Sequence, residues 1–98
     1  MPLDRNQVIT ALTQRKPWLS ACYAVRELTL FGSFARDDAE ADSDVDILVE
    51  FDGPATSRRF FGVLFDLEDL LGRSVDLVTD KALRPEFRPF IEPDAIRV

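Results

Sequence analysis

The chain has 98 residues, 46% of them hydrophobic, and a formal net charge of −6 at pH 7. A chain of this length is expected to form one domain with one core, so residues 1–98 are predicted to fold as a single unit. The acidic balance argues against the clustered lysine and arginine side chains of a DNA-coating protein, and no direct DNA binding is expected. Histidine is absent, which excludes a histidine general base, a histidine-containing triad and a histidine-ligated zinc site. Carboxylates are therefore the leading catalytic candidates.

Cysteine content and hydropathy indicate where the protein acts. The one cysteine, Cys22, excludes an intramolecular disulfide and fits a reducing compartment. No apolar run approaches the roughly 18 residues that a membrane span requires, and the first residues show no signal-peptide pattern. We therefore expect a cytoplasmic protein that does not associate with membranes.

The first part of the chain predicts a helix, a strand and a second, short helix. Apolar residues at helical spacing predict a helix over residues 4–16, and Pro17 is expected to end it. The alternation over 25–32 predicts a strand that enters a buried sheet. Ser33 is the expected N-cap of a short helix through Arg36, because its hydroxyl can accept from free backbone N–H groups.

The middle of the chain predicts a strand and a longer helix. β-Branched residues with a period of two predict a strand over 44–51, with Asp44 and Asp46 on one face. The apolar spacing over 57–71 predicts an amphipathic helix, and Gly72 is expected to cap its C-terminus.

The last part of the chain completes the predicted fold. A third strand is predicted over 74–80, with Asp76 pointing away from its apolar neighbours. The remainder, 81–98, is predicted to hold a short helix broken by Pro85 and Pro89, followed by an extended tail. This order of elements predicts an α+β fold, a small mixed β-sheet flanked by helices.

Three aspartates on these strands predict a cation site. Asp44 and Asp46 share a strand face, and Asp76 reaches the same point if the third strand lies beside the second. Carboxylates within about 4 Å of one another would repel by roughly 4 kcal/mol per pair at a surface-like dielectric. Protonation or bound divalent cations would remove this repulsion, and oxygen ligands favour Mg²⁺ or Mn²⁺ over zinc. The alternative is that Asp44 and Asp46 merely form a solvated strand face.

The Gly32-Ser33 pair predicts an anion site next to these carboxylates. Gly32 allows the backbone to approach a ligand closely, since it has no Cβ. Ser33, at a helix start, presents a hydroxyl beside free N–H groups, which favours phosphate oxygens. An anion site beside a cation site suits a metal–triphosphate complex.

These motifs resemble the signature of a known superfamily. Gly32-Ser33, ten intervening residues and Asp44-Val45-Asp46 resemble the motif of the nucleotidyltransferases related to DNA polymerase beta. The segments LFGSFAR, SDVDILVEF and LEDLLGRSVDLVT are similar to the minimal nucleotidyltransferases (MNT) of prokaryotes. The resemblance covers most of the chain.

The resemblance implies a role for each matching residue. Asp44 and Asp46 would bind two Mg²⁺ ions, or Mn²⁺, and Asp76 would complete the metal site and help to deprotonate the acceptor hydroxyl. Gly32 and Ser33 would hold the β- and γ-phosphates of the ATP substrate.

Two positions after the Gly-Ser motif allow more than one interpretation. Arg36 is equally compatible with a phosphate contact and with a surface ion pair. Asp37 stands where many relatives carry glycine, which leaves the path of the following loop open.

The resemblance also implies a biological setting. Family members of this size are commonly encoded with a helical HEPN-type toxin and resemble antitoxins that transfer AMP, or another nucleoside monophosphate, to a hydroxyl of the toxin. A non-catalytic antitoxin that neutralises its toxin by direct binding is the alternative. Modification of a small molecule is less favoured, because such enzymes usually carry a further acceptor domain. Nucleotide preference and the choice between homo- and hetero-oligomer stay open.

Overall fold

The protein is described by a computed structural model over residues 3–82, 86 and 92–98. In chain order the described elements are α1 (Arg5–Tyr23), β1 (Val25–Phe31), α2 (Gly32–Arg36), β2 (Val45–Phe51), α3 (Ser57–Leu71), β3 (Val75–Thr79), one 3-10 turn (Glu92–Asp94) and β4 (Ile96–Arg97). The described strands form one sheet in the order β3-β2-β1-β4, in which β2 and β3 are parallel and the other neighbours are antiparallel. This arrangement confirms the predicted α+β fold with a mixed sheet flanked by helices.

One face of the sheet packs against the helices and carries the core. In β2, Val45, Ile47 and Val49 are fully buried, whereas Asp46 and Leu48 between them are half-exposed. The other buried hydrophobic residues of the described chain are Val8, Leu12, Leu19, Val25, Leu28, Leu30, Phe34, Ala35, Val63, Leu67, Leu71, Val75 and Leu77. The predicted period of two is therefore confirmed, and the aspartate-bearing face of the sheet stays open.

Helix α3 has the bounds that its apolar spacing predicts. Thr56 caps its N-terminus, with Oγ1 accepting from the N–H of Arg59 at 3.2 Å. Gly72 caps its C-terminus in the left-handed conformation, with a φ of +63°, and donates to the carbonyl of Glu68 at 2.9 Å. Both ends are thus determined locally.

Helix α1 is longer than predicted, because Pro17 does not end it. The helix continues to Tyr23, and Ala24 caps it in the left-handed conformation. A proline inside a helix costs about 3 kcal/mol or more. Packing beyond the proline offsets this cost: Leu19 is fully buried, and the Tyr23 ring lies so close to Gly62 of α3 that a Cβ there would overlap it.

Helix α2 begins two residues earlier than predicted, at Gly32, and Ser33 is not its N-cap. Phe31 occupies the N-cap position and makes no side-chain capping hydrogen bond. Phe31 is still paired with Asp46 in the sheet, so the backbone stays extended up to this residue. The turn into the helix then falls on Gly32, whose φ of +72° glycine adopts without strain.

The prediction for residues 81–98 can be compared with the structure only in part. The short helix expected around Pro85 and Pro89 lies outside the described residues. The extended tail is confirmed as β4, in which Ile96 pairs with Leu30 of β1. Within the described ranges, no helix combines the length and the apolar character needed to cross a membrane.

The large exposed hydrophobic side chains of the described residues lie on the helices. They are Trp18, Phe61, Phe65 and Leu70. Phe61 and Phe65 stack with 6.0 Å between ring centroids, and the Arg15 guanidinium lies 3.7 Å from the Trp18 ring centroid. These groups belong to the helix layer, whereas the aspartates project from the other face of the sheet.

Candidate active site

The sheet register places two of the predicted aspartates side by side. β2 and β3 run parallel, and Asp46 is the register partner of Asp76. Neighbouring strands lie about 4.8 Å apart. The residues that precede these aspartates, Val45 and Val75, are buried, so both carboxylates project from the open face. The third strand therefore lies beside the second, as the cation-site prediction requires.

Asp46 holds its proton more tightly than an ordinary aspartate. Burial, the negative charge of Asp76 and a hydrogen bond between the two carboxyl groups raise the pKa of Asp46 to about 6. The charge of Asp44 acts in the same direction, whereas the Arg36 guanidinium lowers this pKa. Because both neighbouring acids act on Asp46, the aspartates form one electrostatic cluster whose full ionisation is opposed by repulsion.

Gly32 brings the start of α2 directly against this cluster. A Cβ built on Gly32 would lie 2.9 Å from Cγ of Asp46 and would overlap a carboxylate oxygen. The backbone φ of +72° is also in the left-handed region. Glycine is the residue that satisfies both the turn and the close approach. Helix α2 and the aspartate cluster are therefore parts of one site.

Ser33 and Asp37 lie at the two ends of α2. Ser33 is half-exposed in the first turn of α2 and is not the cap of that helix. Asp37 follows the helix with a φ of +63°, and its N–H donates to the carbonyl of Phe34 at 3.2 Å. Aspartate is one of the few residues besides glycine that adopt this left-handed conformation readily. Asp37 therefore makes the turn that a glycine would make.

Arg36 forms an exposed ion pair next to the cluster. Its Nε lies 3.3 Å from Oδ2 of Asp38, and both side chains are largely exposed. An exposed pair contributes at most about 1 kcal/mol, so the guanidinium can exchange this partner for another anion. The Arg36 guanidinium lowers the pKa of Asp46, so its charge acts on the aspartate cluster.

Asp44 is held differently from the other two aspartates. It is exposed and precedes β2, which begins at Val45. The loop before it is closed by reciprocal hydrogen bonds: the N–H of Glu40 donates to Oγ of Ser43 at 2.8 Å, and the N–H of Ser43 donates to the Glu40 carbonyl at 3.1 Å. The position of Asp44 is therefore set by a loop rather than by the sheet ladder.

The donor set of the cluster fits a divalent cation that is shared with substrate. Within the described part of the chain, no three acidic, cysteine or histidine side chains already surround a common point as metal ligands. Mg²⁺ usually keeps several waters and binds through one or two carboxylates plus substrate phosphates, so a closed protein cage is not required. The oxygen-only donors match Mg²⁺ or Mn²⁺, and a bound cation would relieve the repulsion that opposes full ionisation of the cluster.

Comparison with known proteins agrees with this geometry. The family description "Nucleotidyltransferase domain" matches residues 6–98. The chain therefore belongs to the nucleotidyltransferase domain family, a class of transferase enzymes. A relative from Thermococcus cleftensis, named protein adenylyltransferase MntA, is 40% identical over 82 residues, which cover 84% of this chain and 83% of the relative.

Solved structures share the fold. One that is provisionally described as a minimal nucleotidyltransferase is 33% identical, with a TM-score of 0.77, and covers 98% of this chain and 97% of that chain. A structure of a tri-AMPylated Shewanella oneidensis HEPN toxin in complex with MNT antitoxin contains a chain that is 19% identical, with a TM-score of 0.59, over 95% of this chain and 66% of that chain. At this lower identity the likeness shows the fold alone. The resemblance to minimal nucleotidyltransferases is thus confirmed.

Proposed function

We propose that the protein transfers AMP from ATP to a hydroxyl group of a partner protein, with Mg²⁺ as the required cation. The observation that carries the proposal is the meeting of Asp46, Asp76 and Gly32 on the open face of the sheet. This places a carboxylate pair directly beside a backbone turn whose glycine the Asp46 carboxylate closely approaches. The name of the Thermococcus relative, a protein adenylyltransferase, supports the same reaction.

The aspartates are proposed to hold the metal ions. Asp44 and Asp46 would bind two Mg²⁺ ions, for which Mn²⁺ can substitute, and Asp76 would complete the site. When bound, such ions neutralise charge on the reacting phosphate and on the leaving pyrophosphate. Asp46 is ready for this role at neutral pH, since a pKa of about 6 leaves it mostly ionised there.

The start of α2 is proposed to hold the phosphates. Gly32 lets the β- and γ-phosphates approach the backbone, and the half-exposed Ser33 hydroxyl can donate to them. Arg36 would exchange its exposed partner Asp38 for a phosphate oxygen. A guanidinium suits this exchange because it can donate two parallel hydrogen bonds.

The proposed reaction is a displacement at the α-phosphorus. The oxygen of the acceptor hydroxyl forms a bond to the α-phosphorus, the bond from that phosphorus to the α–β bridging oxygen breaks, and pyrophosphate leaves. The hydroxyl proton passes to Asp76, which is exposed beside Asp46, and from there to solvent.

The proposed partner is a HEPN-type toxin, which would make this protein an antitoxin. Asp44 and Asp76 are both exposed, so a macromolecular acceptor can reach the cluster. The choice of partner is motivated by a likeness in fold to a chain of a complex between an AMPylated HEPN toxin and an MNT antitoxin.

Two variants of the site distinguish neutralisation of the toxin by AMP transfer from neutralisation by binding alone. Asp44→Asn and Asp46→Asn would be co-expressed with the product of any adjacent gene that encodes a helical, HEPN-type protein, and growth, AMP on the toxin and complex formation would be measured. The proposal predicts that both variants bind the toxin but leave it unmodified and active. Asp69→Asn, at an exposed position of α3, is the matched control and should behave as the wild type. Full neutralisation by both site variants would instead identify an antitoxin that works by binding.

A further inference from the structure

We infer that Arg73 is a positioning residue that fixes Asp44 relative to Asp76, an inference that rests on the proposed function of these aspartates. Asp46 and Asp76 are aligned by the register of β2 and β3, but Asp44 precedes β2 and has no ladder partner. A metal-binding carboxylate must be held within about 0.5 Å of its productive position. Asp44 therefore needs a support outside the sheet.

Arg73 supplies this support by holding the loop backbone. Its Nη1 donates to the carbonyl oxygen of Ala41 at 2.7 Å and to that of Ser43 at 3.0 Å. Ser43 directly precedes Asp44. The two contacts span 32 and 30 residues of sequence, so they join the loop to a distant part of the chain.

The turn that carries Arg73 is anchored on both sides. Oε2 of Glu68 accepts from the N–H of Val75 at 3.1 Å, which ties the turn to α3. The N–H of Val45 donates to the carbonyl of Ser74 at 3.0 Å, which ties the turn to the start of β2. The backbone is consequently held on both sides of Asp44 by one rigid turn.

Arg73 also contacts the helix that begins with the Gly-Ser pair. Its guanidinium carbon lies 5.3 Å from the ring centroid of Phe34, a core residue of α2 that is 2% exposed. This is within the range of a cation–π contact. One side chain, carried by the turn that leads into β3, therefore touches the proposed phosphate-binding helix and the loop of Asp44.

The contacts indicate that Arg73 acts through geometry rather than through its charge. Its hydrogen-bond acceptors are neutral carbonyl groups. The cation that acts on Asp46 is a different residue, Arg36. Loss of Arg73 should therefore displace Asp44 without abolishing the cluster itself.

The test compares Arg73→Met with Arg15→Met in the full chain. Arg15 also holds a distant part of the chain, but through a bidentate ion pair on the helix layer: its Nε donates to Oδ2 of Asp66 at 3.0 Å and its Nη2 to Oδ1 at 2.7 Å. Hydrogen exchange would measure how often the loop over 38–45 opens. Mn²⁺ titration followed by water-proton relaxation would measure the affinity of the site for the cation, and thermal unfolding would measure the stability of the fold. Arg73→Lys, which retains a hydrogen-bond donor, would be measured in parallel. It replaces Arg73→Met as the test variant if Arg73→Met does not fold.

For Arg73→Met we expect exchange in the loop to rise by about 10-fold or more and Mn²⁺ affinity to fall by about 10- to 100-fold, with core exchange unchanged. Arg73→Lys should lie between this variant and the wild type. Loop exchange or Mn²⁺ affinity equal to that of Arg15→Met would overturn the inference. Failure of the wild type to bind Mn²⁺ or to transfer AMP would instead contradict the proposed function, and loop exchange would then decide the positioning role of Arg73 alone.

Discussion

Asp46 and Asp76 are register partners on parallel strands, and their proximity helps to keep a proton on Asp46 up to about pH 6. Like charges on directly neighbouring strand positions destabilise a sheet. Perturbed carboxylates of this kind cluster at functional sites, where a ligand or reaction requires them. The Asp46–Asp76 pair is therefore the central feature of the proposed site.

The stability of the metal-free protein is expected to fall as the pH rises from about 4 to 6. The pKa of Asp46 is raised above its ordinary value of 3.8, so the folded state binds more protons than the unfolded state in this window. A shift of this size corresponds to about 3 kcal/mol. Solvent screening of this half-exposed side chain reduces the effect to about 1 kcal/mol.

Urea unfolding with a chelator present, at several pH values, measures this effect. The wild type should lose about 1 kcal/mol relative to Asp46→Asn between about pH 4 and 6, because asparagine does not titrate. Parallel stability curves for the two proteins would show that Asp46 does not carry a raised pKa.

Divalent cations are expected to stabilise the protein more at about pH 7.5 than at about pH 5, because at the lower pH Asp46 must first release its proton. At a free Mn²⁺ concentration of about 100 times its Kd, binding adds about 2.7 kcal/mol to the free energy of unfolding. For a domain of this size that is a rise in Tm of roughly 10 °C or more. Asp46→Asn should lose most of this rise, and Asp69→Asn should keep it; equal rises in both variants would place the cation elsewhere.

A comparison of alanine substitutions at Gly32 and Gly72 distinguishes the effect of backbone strain from the effect of crowding at the site. Gly32 and Gly72 both have left-handed φ values, of +72° and +63°, so alanine is strained at either position by about 1–2 kcal/mol. A Cβ at Gly32 would collide with Asp46, whereas at Gly72 nothing lies within 4 Å. Gly32→Ala should therefore abolish Mn²⁺ binding and AMP transfer, and Gly72→Ala should cost stability alone. Equal activity of the two variants would contradict the close approach of Gly32 to the cluster.

The extension of α1 beyond Pro17 is expected to depend on Gly62. Gly62→Ala forces a methyl group into the Tyr23 ring and should cost about 1–3 kcal/mol of stability, as overpacking usually does. Combining it with Tyr23→Leu should recover part of the loss, which a double-mutant cycle on thermal unfolding measures. Additive losses would indicate that the two residues are not in contact.

The elements that could be predicted from the sequence are those whose signals are local. Helix α3 has regular apolar spacing and a glycine at its end, and its predicted bounds are those observed. The meeting of Asp46 and Asp76 could be predicted only on the condition that the third strand lies beside the second, and the parallel register of β2 and β3 fulfils that condition. Pro17 misled the prediction of α1, since burial of Leu19 and the packing of Tyr23 on α3 are tertiary effects.

Other features of the site depend on contacts that residue types do not reveal. Ser33 has the identity of an N-cap, but pairing of Phe31 in the sheet moves the helix start to Gly32. The contacts of Arg73 are with backbone carbonyls, which every residue possesses, so no sequence pattern marks them. The raised pKa of Asp46 likewise depends on burial and neighbours rather than on its own identity.

The most direct measurement of the central claim uses ATP labelled at either of two phosphates. The purified protein, Mg²⁺ and the HEPN-type partner would be incubated with ATP labelled at the α-phosphate or at the γ-phosphate, with Asp46→Asn run alongside. We expect the α-label to appear on the partner, the γ-label to stay off it, and Asp46→Asn to transfer neither label. Transfer of the γ-label would show phosphoryl transfer instead, and transfer of the α-label by Asp46→Asn would contradict a reaction at the aspartate cluster.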